Sequence, residues 1–513
     1  MRRSPTLDQR TSGILLHPTS LPGPHGSGDL GPAAYAFADW LAEAGQSWWQ
    51  VLPVVPPAGG NSPYQSTSAF AGSPMLISLE LLAAQGLLGD ADLEGGPGGN
   101  RVDFGAAGAF REERLRRAFD AFRNRAEGHE PFLKFCDDER AWLDDYALFC
   151  ALKGQFNHAA WTDWDAPLRA RHPDALAEAR ERLRGEVRYH QFVQYEFARQ
   201  WQALRAHCES LGLGLFGDLP IFVAHDSADV WARPDEYFLR EDGKPSVVAG
   251  VPPDYFSATG QRWGNALYRW DVHKSRGYAW WVARLASMFK KFHAVRIDHF
   301  IGFDRYWEID ADCETAVKGR YLPGPGAHFF EVLGGALGGK RLPIVAEDLG
   351  IVTPEVKALR ERFKLPGMRV LMFSFGTDQG ARDYWPHTIG PDVITYTGTH
   401  DNDTSRGWFE ELTAKMNAGD GEAAKQRAFV LRYLDSDGTR VHWDLLRLAW
   451  QSAGIMAVAP VQDLLGLPTD ARMNTPGTAE NNWTWRLEAG ALTAELASEL
   501  RQLTETYGRD RPA

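Results

Sequence analysis

Eight short apolar runs, separated for the most part by helical sequence, restrict this chain more than any other feature. They begin near residues 13, 48, 213, 294, 342, 368, 393 and 454, as in Trp48-Trp-Gln-Val-Leu, Ala294-Val-Arg-Ile, Met368-Arg-Val-Leu-Met-Phe-Ser-Phe375 and Gly454-Ile-Met-Ala-Val-Ala. Most do not alternate apolar with polar residues, which is the pattern of parallel strands covered on both faces. Segments 32–44, 277–292, 354–363 and 443–452 carry apolar residues at three- and four-residue steps, as amphipathic helices do. Eight β/α units predict an α/β fold of the closed (β/α)8 TIM-barrel type, with a doubly wound open sheet as the alternative. Residues 1–513 read as a single elaborated barrel domain.

The second and third runs are far apart. Between them, residues 65–212 are expected to form an inserted, mainly helical subdomain, with helices at 109–125, 139–154 and 174–211, the last broken near Gly185. A further stretch within 240–270, Val247-Val-Ala-Gly-Val-Pro-Pro-Asp-Tyr255-Phe256 to Trp263-Gly-Asn265, reads as a long irregular aromatic loop. Loops of that length usually cover or bind something.

Composition narrows the function. A formal net charge of -12 argues against nucleic acid and anionic membranes as partners. The four cysteines, Cys136, Cys150, Cys208 and Cys313, have neither metal-ligand spacing nor the density of a disulfide scaffold. They suit a reducing, cytoplasmic compartment. The basic start Met1-Arg-Arg is not followed by the apolar run of a signal peptide, and no apolar stretch is long enough to span a membrane. Nineteen tryptophans in a chain that is 12% aromatic offer flat platforms suited to sugar rings.

In a β/α barrel, chemistry gathers at the C-terminal strand ends. Here those ends carry Asp218, then Arg296 and Asp298, then Glu347 with Asp348, then His400 and Asp401, and finally Asp463. Arg296 and Asp298, two apart on one strand, point the same way. So many acids round one mouth need a cation and a purpose. They could hold a hard metal ion or break a glycosidic bond with two carboxyl groups. Arg296 already supplies positive charge beside Asp298, and no His/Cys metal motif, phosphate-binding loop or convincing dinucleotide fingerprint occurs. Glycosidic chemistry without metal, nucleotide or organic cofactor is therefore the expectation, with full activity after chelation.

Three segments, Ala294-Val-Arg-Ile-Asp-His-Phe, Val345-Ala-Glu-Asp-Leu-Gly and Tyr396-Thr-Gly-Thr-His-Asp-Asn, resemble the catalytic segments of the α-amylase superfamily. They are most similar to those of the 4-α-glucanotransferases known as amylomaltases or disproportionating enzymes. His17-Pro-Thr-Ser-Leu-Pro-Gly-Pro-His-Gly, Asn61-Ser-Pro-Tyr-Gln-Ser, Gly217-Asp-Leu-Pro-Ile-Phe-Val, Gly250-Val-Pro-Pro-Asp-Tyr-Phe-Ser, Gly260-Gln-Arg-Trp-Gly-Asn and Asn474-Thr-Pro-Gly-Thr extend the resemblance over essentially the whole chain. It implies transfer of α-1,4-glucan segments between maltooligosaccharides with retention of configuration. Asp298 would be the nucleophile, Glu347 the general acid and base, and Asp401 the third carboxylate on the sugar hydroxyls. Arg296 would keep Asp298 ionised, with His400 on the same sugar and Asp218 behind the arginine or on the ring. Tyr64 would stack on the reacting sugar, and Tyr255, Phe256 and Trp263 would border the acceptor side. Asp463 and Glu410 have no assigned part.

Two rivals share these residues: an α-glucan hydrolase on the same scaffold, and a non-catalytic carbohydrate-binding protein. Donor length, cyclic products and oligomeric state are not written in the motifs.

Overall fold

The computed structural model describes residues 4–126, 129–253, 257–339, 341–350, 352–376 and 379–510. Its strands in chain order are β1 (Thr11–Leu15), β2 (Trp48–Gln50), β3 (Gly214–Pro220), β4 (Val247–Val251), β5 (Gln261–Ala266) and β6 (Ala294–Asp298), followed by β7 (Arg305–Asp310), β8 (Gly319–Pro323), β9 (Ile344–Ala346), β10 (Gly367–Val370), β11 (Val393–Tyr396) and β12 (Met456–Pro460). An 8-stranded parallel sheet runs in the order β10-β11-β12-β1-β2-β3-β6-β9. These are the eight apolar runs of the sequence, nearly closed into a barrel. Every residue of β1, β9, β11 and β12 is buried, which is why such strands read as continuous apolar runs rather than alternating ones.

The seam falls between β9 and β10. There the Ala346 N–H donates to the Pro366 carbonyl (2.8 Å), and the Met368 N–H donates to Asp348 Oδ1 (2.7 Å). Asp348 is buried, with Arg360 and Arg369 at 3.4 and 3.6 Å. This acid, grouped with the others by its strand-end position, thus staples the barrel shut. Just past the end of β9, Glu347 and Asp348 part company: Glu347 accepts from the His299 and Leu349 N–H groups, Asp348 from that of Met368.

Between β2 and β3 come helices Phe104–Arg123, His129–Asp138, Arg140–Gln155, Pro173–Arg182 and Arg184–Ser210. The expected break near Gly185 falls at Leu183. One hydrophobic cluster runs from the barrel strands into these helices through Phe192, Phe197, Trp201 and Phe292. Trp201 meets Phe292 edge-on at 5.2 Å and donates its indole N–H to the Lys291 carbonyl. On β3, a Cβ at position 217 would lie 2.5 Å from the Phe292 ring, so Gly217 lets that ring seat against the strand that carries Asp218.

Two expectations are corrected. The segment read as an irregular loop from 247 to 265 contains β4 and β5, which join β7 and β8 in a separate 4-stranded antiparallel sheet, order β5-β4-β7-β8. The sixth barrel strand is shorter than the run Met368–Phe375 predicted, because Leu371–Phe375 coils into a 3₁₀ turn.

Candidate active site

At the centre of the site is Arg296, buried on β6 opposite Asp218 of β3. One terminal nitrogen donates to both Asp218 oxygens (2.9 and 2.7 Å), and the other donates to Asp298 Oδ1 at 2.7 Å. Burial alone would weaken the guanidinium's hold on its proton. Asp218 and Asp298 overcome that and hold it well above its ordinary range. Burial also raises Asp218, with the guanidinium opposing. An isolated buried ion would be costly; this one is shared between two acids that keep it paired.

Glu347, at the end of β9, is placed by backbone. Its Oε2 accepts from the His299 N–H (2.7 Å) and its Oε1 from the Leu349 N–H (2.9 Å). His299 turns into the left-handed region (φ 53°) directly after Asp298, which aims its N–H across to the neighbouring strand end. Burial first, and repulsion from Asp298 second, push the Glu347 carboxyl up to about 7. The His299 ring is held down to about 4 by burial and so stays neutral near neutrality.

Tyr64, in the loop after β2, donates its hydroxyl proton to Asp218 Oδ2 (2.8 Å) and stacks on His400 with ring centroids 5.0 Å apart. His400 Nε2 lies 3.3 Å from Asp401 Oδ1, in the loop after β11. Trp263 on β5 stands edge-on to His299 at 4.9 Å. A continuous set of contacts therefore joins Asp401, His400, Tyr64, Asp218, Arg296 and Asp298, while Glu347 and Trp263 both meet His299. Tyr255 and Phe256 lie outside the described residues.

Asp463 does not join this set. Its oxygens accept from the Thr397 hydroxyl (2.6 Å) and the Ser405 N–H (2.7 Å), so it braces the loop after β11 from behind. Glu410 pairs with Arg406 on a helix surface. Conversely, the sequence reading gave no role to His299, Asn474 or Trp483. Asn474 Nδ2 donates to Asp401 Oδ1 at 2.6 Å, and the Trp483 ring leans on Tyr64 and His400. The motif containing Asn474 was legible; its contact with Asp401 was not.

A β/α barrel that gathers an arginine-paired aspartate and a near-neutral glutamic acid at one mouth has the equipment of an enzyme that works on glycosidic bonds. The chain belongs to the 4-alpha-glucanotransferase family, glycoside hydrolase family 77, whose model matches residues 16–493. It is 49% identical over 511 residues to a 4-alpha-glucanotransferase of Thermus thermophilus, covering 98% of this chain and 99% of the relative. A 4-alpha-glucanotransferase of Synechocystis is 48% identical with the same coverage. Among solved structures, the amylomaltase of Streptococcus agalactiae in complex with acarbose superposes with a TM-score of 0.93 at 36% identity, covering 98% of this chain and 100% of that one.

Proposed function

We propose that this protein moves α-1,4-glucan segments between maltooligosaccharides by a double displacement in which Asp298 is the nucleophile and Glu347 the general acid and base. The observation that carries the roles is the unequal setting of the two acids. Asp298 is paired with a buried guanidinium, whereas Glu347 accepts, among the described residues, from the His299 and Leu349 backbone N–H groups and is pushed up to about 7. An arginine-paired aspartate beside a glutamic acid raised by burial is the combination of nucleophile and acid that this chemistry needs.

In the first step, an Asp298 oxygen attacks the anomeric carbon of the donor as the C–O bond to the leaving chain breaks. Glu347 delivers its proton to the departing oxygen, leaving a glycosyl ester on Asp298. In the second step, ionised Glu347 takes the proton of an acceptor 4-hydroxyl, whose oxygen displaces Asp298. Asp401 and His400 hold hydroxyls of the reacting sugar, and Tyr64 stacks against it. The 240–270 segment covers the acceptor side. Its place is supported by the Trp263–His299 contact and by the reciprocal hydrogen bonds between the Gln65 and Asn265 amides (3.0 and 3.2 Å), which tie β5 to the loop that carries Tyr64. Excluding water there favours a sugar hydroxyl as acceptor.

No helix among the described residues is long and apolar enough to cross a membrane. The four cysteines are free, which supports a cytoplasmic setting for an enzyme acting on maltodextrins.

Incubation with maltotriose alone tests the function. Glucose plus longer oligosaccharides, with little net gain of reducing ends, is the expected outcome. A steady rise in reducing ends would mark a hydrolase, and intact maltotriose a binding protein.

A second expectation concerns Glu347. As the free enzyme's acid, it must be protonated to start the reaction, so kcat/KM is expected to fall as pH rises through about 7. Glu347→Gln should lose that basic limb. It should also lose far less activity on a glycosyl fluoride, whose leaving group needs little protonation, than on maltotriose. Equal losses on the two donors would remove Glu347 from the acid role.

A further inference from the structure

We propose that Asn474 is a positioning residue for Asp401, fixing that carboxylate with a donor that carries no charge. The inference rests on the reading that Asp401 meets the reacting sugar. Asn474 lies in the loop that follows β12, remote in sequence from Asp401. Its Nδ2 donates to Asp401 Oδ1 at 2.6 Å, and its backbone N–H donates to the His400 carbonyl at 3.0 Å. Arg472 completes the grip through backbone, donating to the Asp401 carbonyl (2.6 Å) and the Asn474 carbonyl (2.7 Å).

The Asp401 side chain is 44% exposed at the mouth. Among the described residues, its carboxylate meets Asn474 and His400, both on Oδ1, which leaves Oδ2 available to a sugar hydroxyl. The His400 contact, at 3.3 Å, is long for a charge-assisted bond, and the hydrogen bond from Asn474 is the short one. Without Asn474, Asp401 would be free to turn about its side-chain torsions into solvent.

The neutrality of the donor matters as much as its place. A lysine or arginine at position 474 would orient Asp401 equally well, but would offset the negative charge that stabilises a sugar ring turning cationic. An amide orients it and leaves the charge intact, as a preorganised site requires. Among the described residues, the other charged or titratable groups facing this carboxylate are His400, the Tyr64 hydroxyl behind it, and Arg472, whose guanidinium is engaged with main-chain carbonyls. Asp403 is turned away toward Thr404 and Thr469.

The test compares Asn474→Ala with Asn474→Asp across pH, using maltotriose. In the alanine variant kcat is expected to drop on the order of 10- to 100-fold, the cost of a misplaced group, with KM changing much less. In the aspartate variant a second carboxyl group replaces the amide whose nitrogen lies 2.6 Å from Asp401 Oδ1. One of the two carboxyls titrates high, as paired acids do. On the acid side the pair shares a proton, the protonated carboxyl introduced at position 474 donates to Asp401 as the amide did, and activity should recover toward wild type. As pH rises the second proton leaves, the two charges repel, and activity should fall below that of the alanine variant.

A merely structural residue would show no such crossing. Equal losses in both variants at every pH, or an alanine variant with wild-type kcat, would overturn the proposal. Asp401→Asn, measured alongside, separates the two levels. Full turnover there would sink the reading of Asp401 itself. Collapse there, with wild-type behaviour at position 474, would sink only the inference about Asn474.

Discussion

Asparagine in place of Asp298 is expected to lower transfer from maltotriose by roughly a million-fold, the scale seen when a covalent nucleophile is removed. The amide keeps the size of the carboxylate and still accepts from Arg296, which also retains its two bonds to Asp218. The fold should therefore survive, and the loss should appear in kcat with an unfolding midpoint close to wild type. A second consequence separates this from general damage. Asp298 is one of the two causes that raise Glu347, so Glu347 should titrate below about 7 in the variant, with the effect of burial remaining. Asp298→Ala adds a chemical check: with glucosyl fluoride and azide, the small anion should attack from the vacated side and give the β-azide. Substantial transfer by the asparagine variant would end the assignment.

Arg296→Met should be the most damaging change to stability as well as to activity. The methionine fills much of the space but leaves Asp218 buried without its cation and Asp298 without its anchor. Breaking a buried ion pair from one side costs about 3–5 kcal/mol, because the remaining charge is left unpaired. Burial already raises Asp218, and the guanidinium is what holds that rise in check. Without it, the folded-state value climbs further above the unfolded one. The stability difference from wild type should therefore be small in acid, where Asp218 is protonated in both states, and grow as pH rises toward the raised folded value. Denaturant unfolding at several pH values measures this. Activity should fall by on the order of a hundredfold or more, since Asp298 is no longer held in line. Arg296→Lys restores a charge but not the fork that reaches both acids, so it should recover stability better than turnover.

The barrel was legible because its strands are covered on both faces. Apolar runs such as Val393-Ile-Thr-Tyr and Met456-Ala-Val-Ala need little more than burial to declare themselves, and their polar ends mark the mouth. The antiparallel sheet was not legible for the opposite reason. Gln261-Arg-Trp-Gly-Asn-Ala includes Gly264 at φ 79°, and Gly319-Arg-Tyr-Leu-Pro is largely exposed. These strands are held by cross-strand pairing that local sequence does not announce.

The acids divide in the same way. Position at a strand end found Asp218, Asp298, Glu347 and Asp401, but it also gathered Asp348 and Asp463, whose partners are a barrel seam and a neighbouring loop. Both lie past the ends of their strands, where nothing local separates a bracing acid from one that faces the mouth. His299 escaped notice because what it gives Glu347 is a backbone N–H, and any residue type carries one.

The central claim is that Asp298 becomes glycosylated. The most direct test uses Glu347→Gln with a maltotriosyl fluoride that lacks the 4-hydroxyl at its non-reducing end. This donor can load the enzyme but cannot accept, and the variant lacks the base that would help unload it. Acid quench, proteolysis and peptide mass spectrometry should then find the trisaccharide mass on the peptide that contains Asp298, bound as an ester. The same mass on a peptide carrying Asp401 or any other carboxylate, with the Asp298 peptide unmodified, would contradict the account.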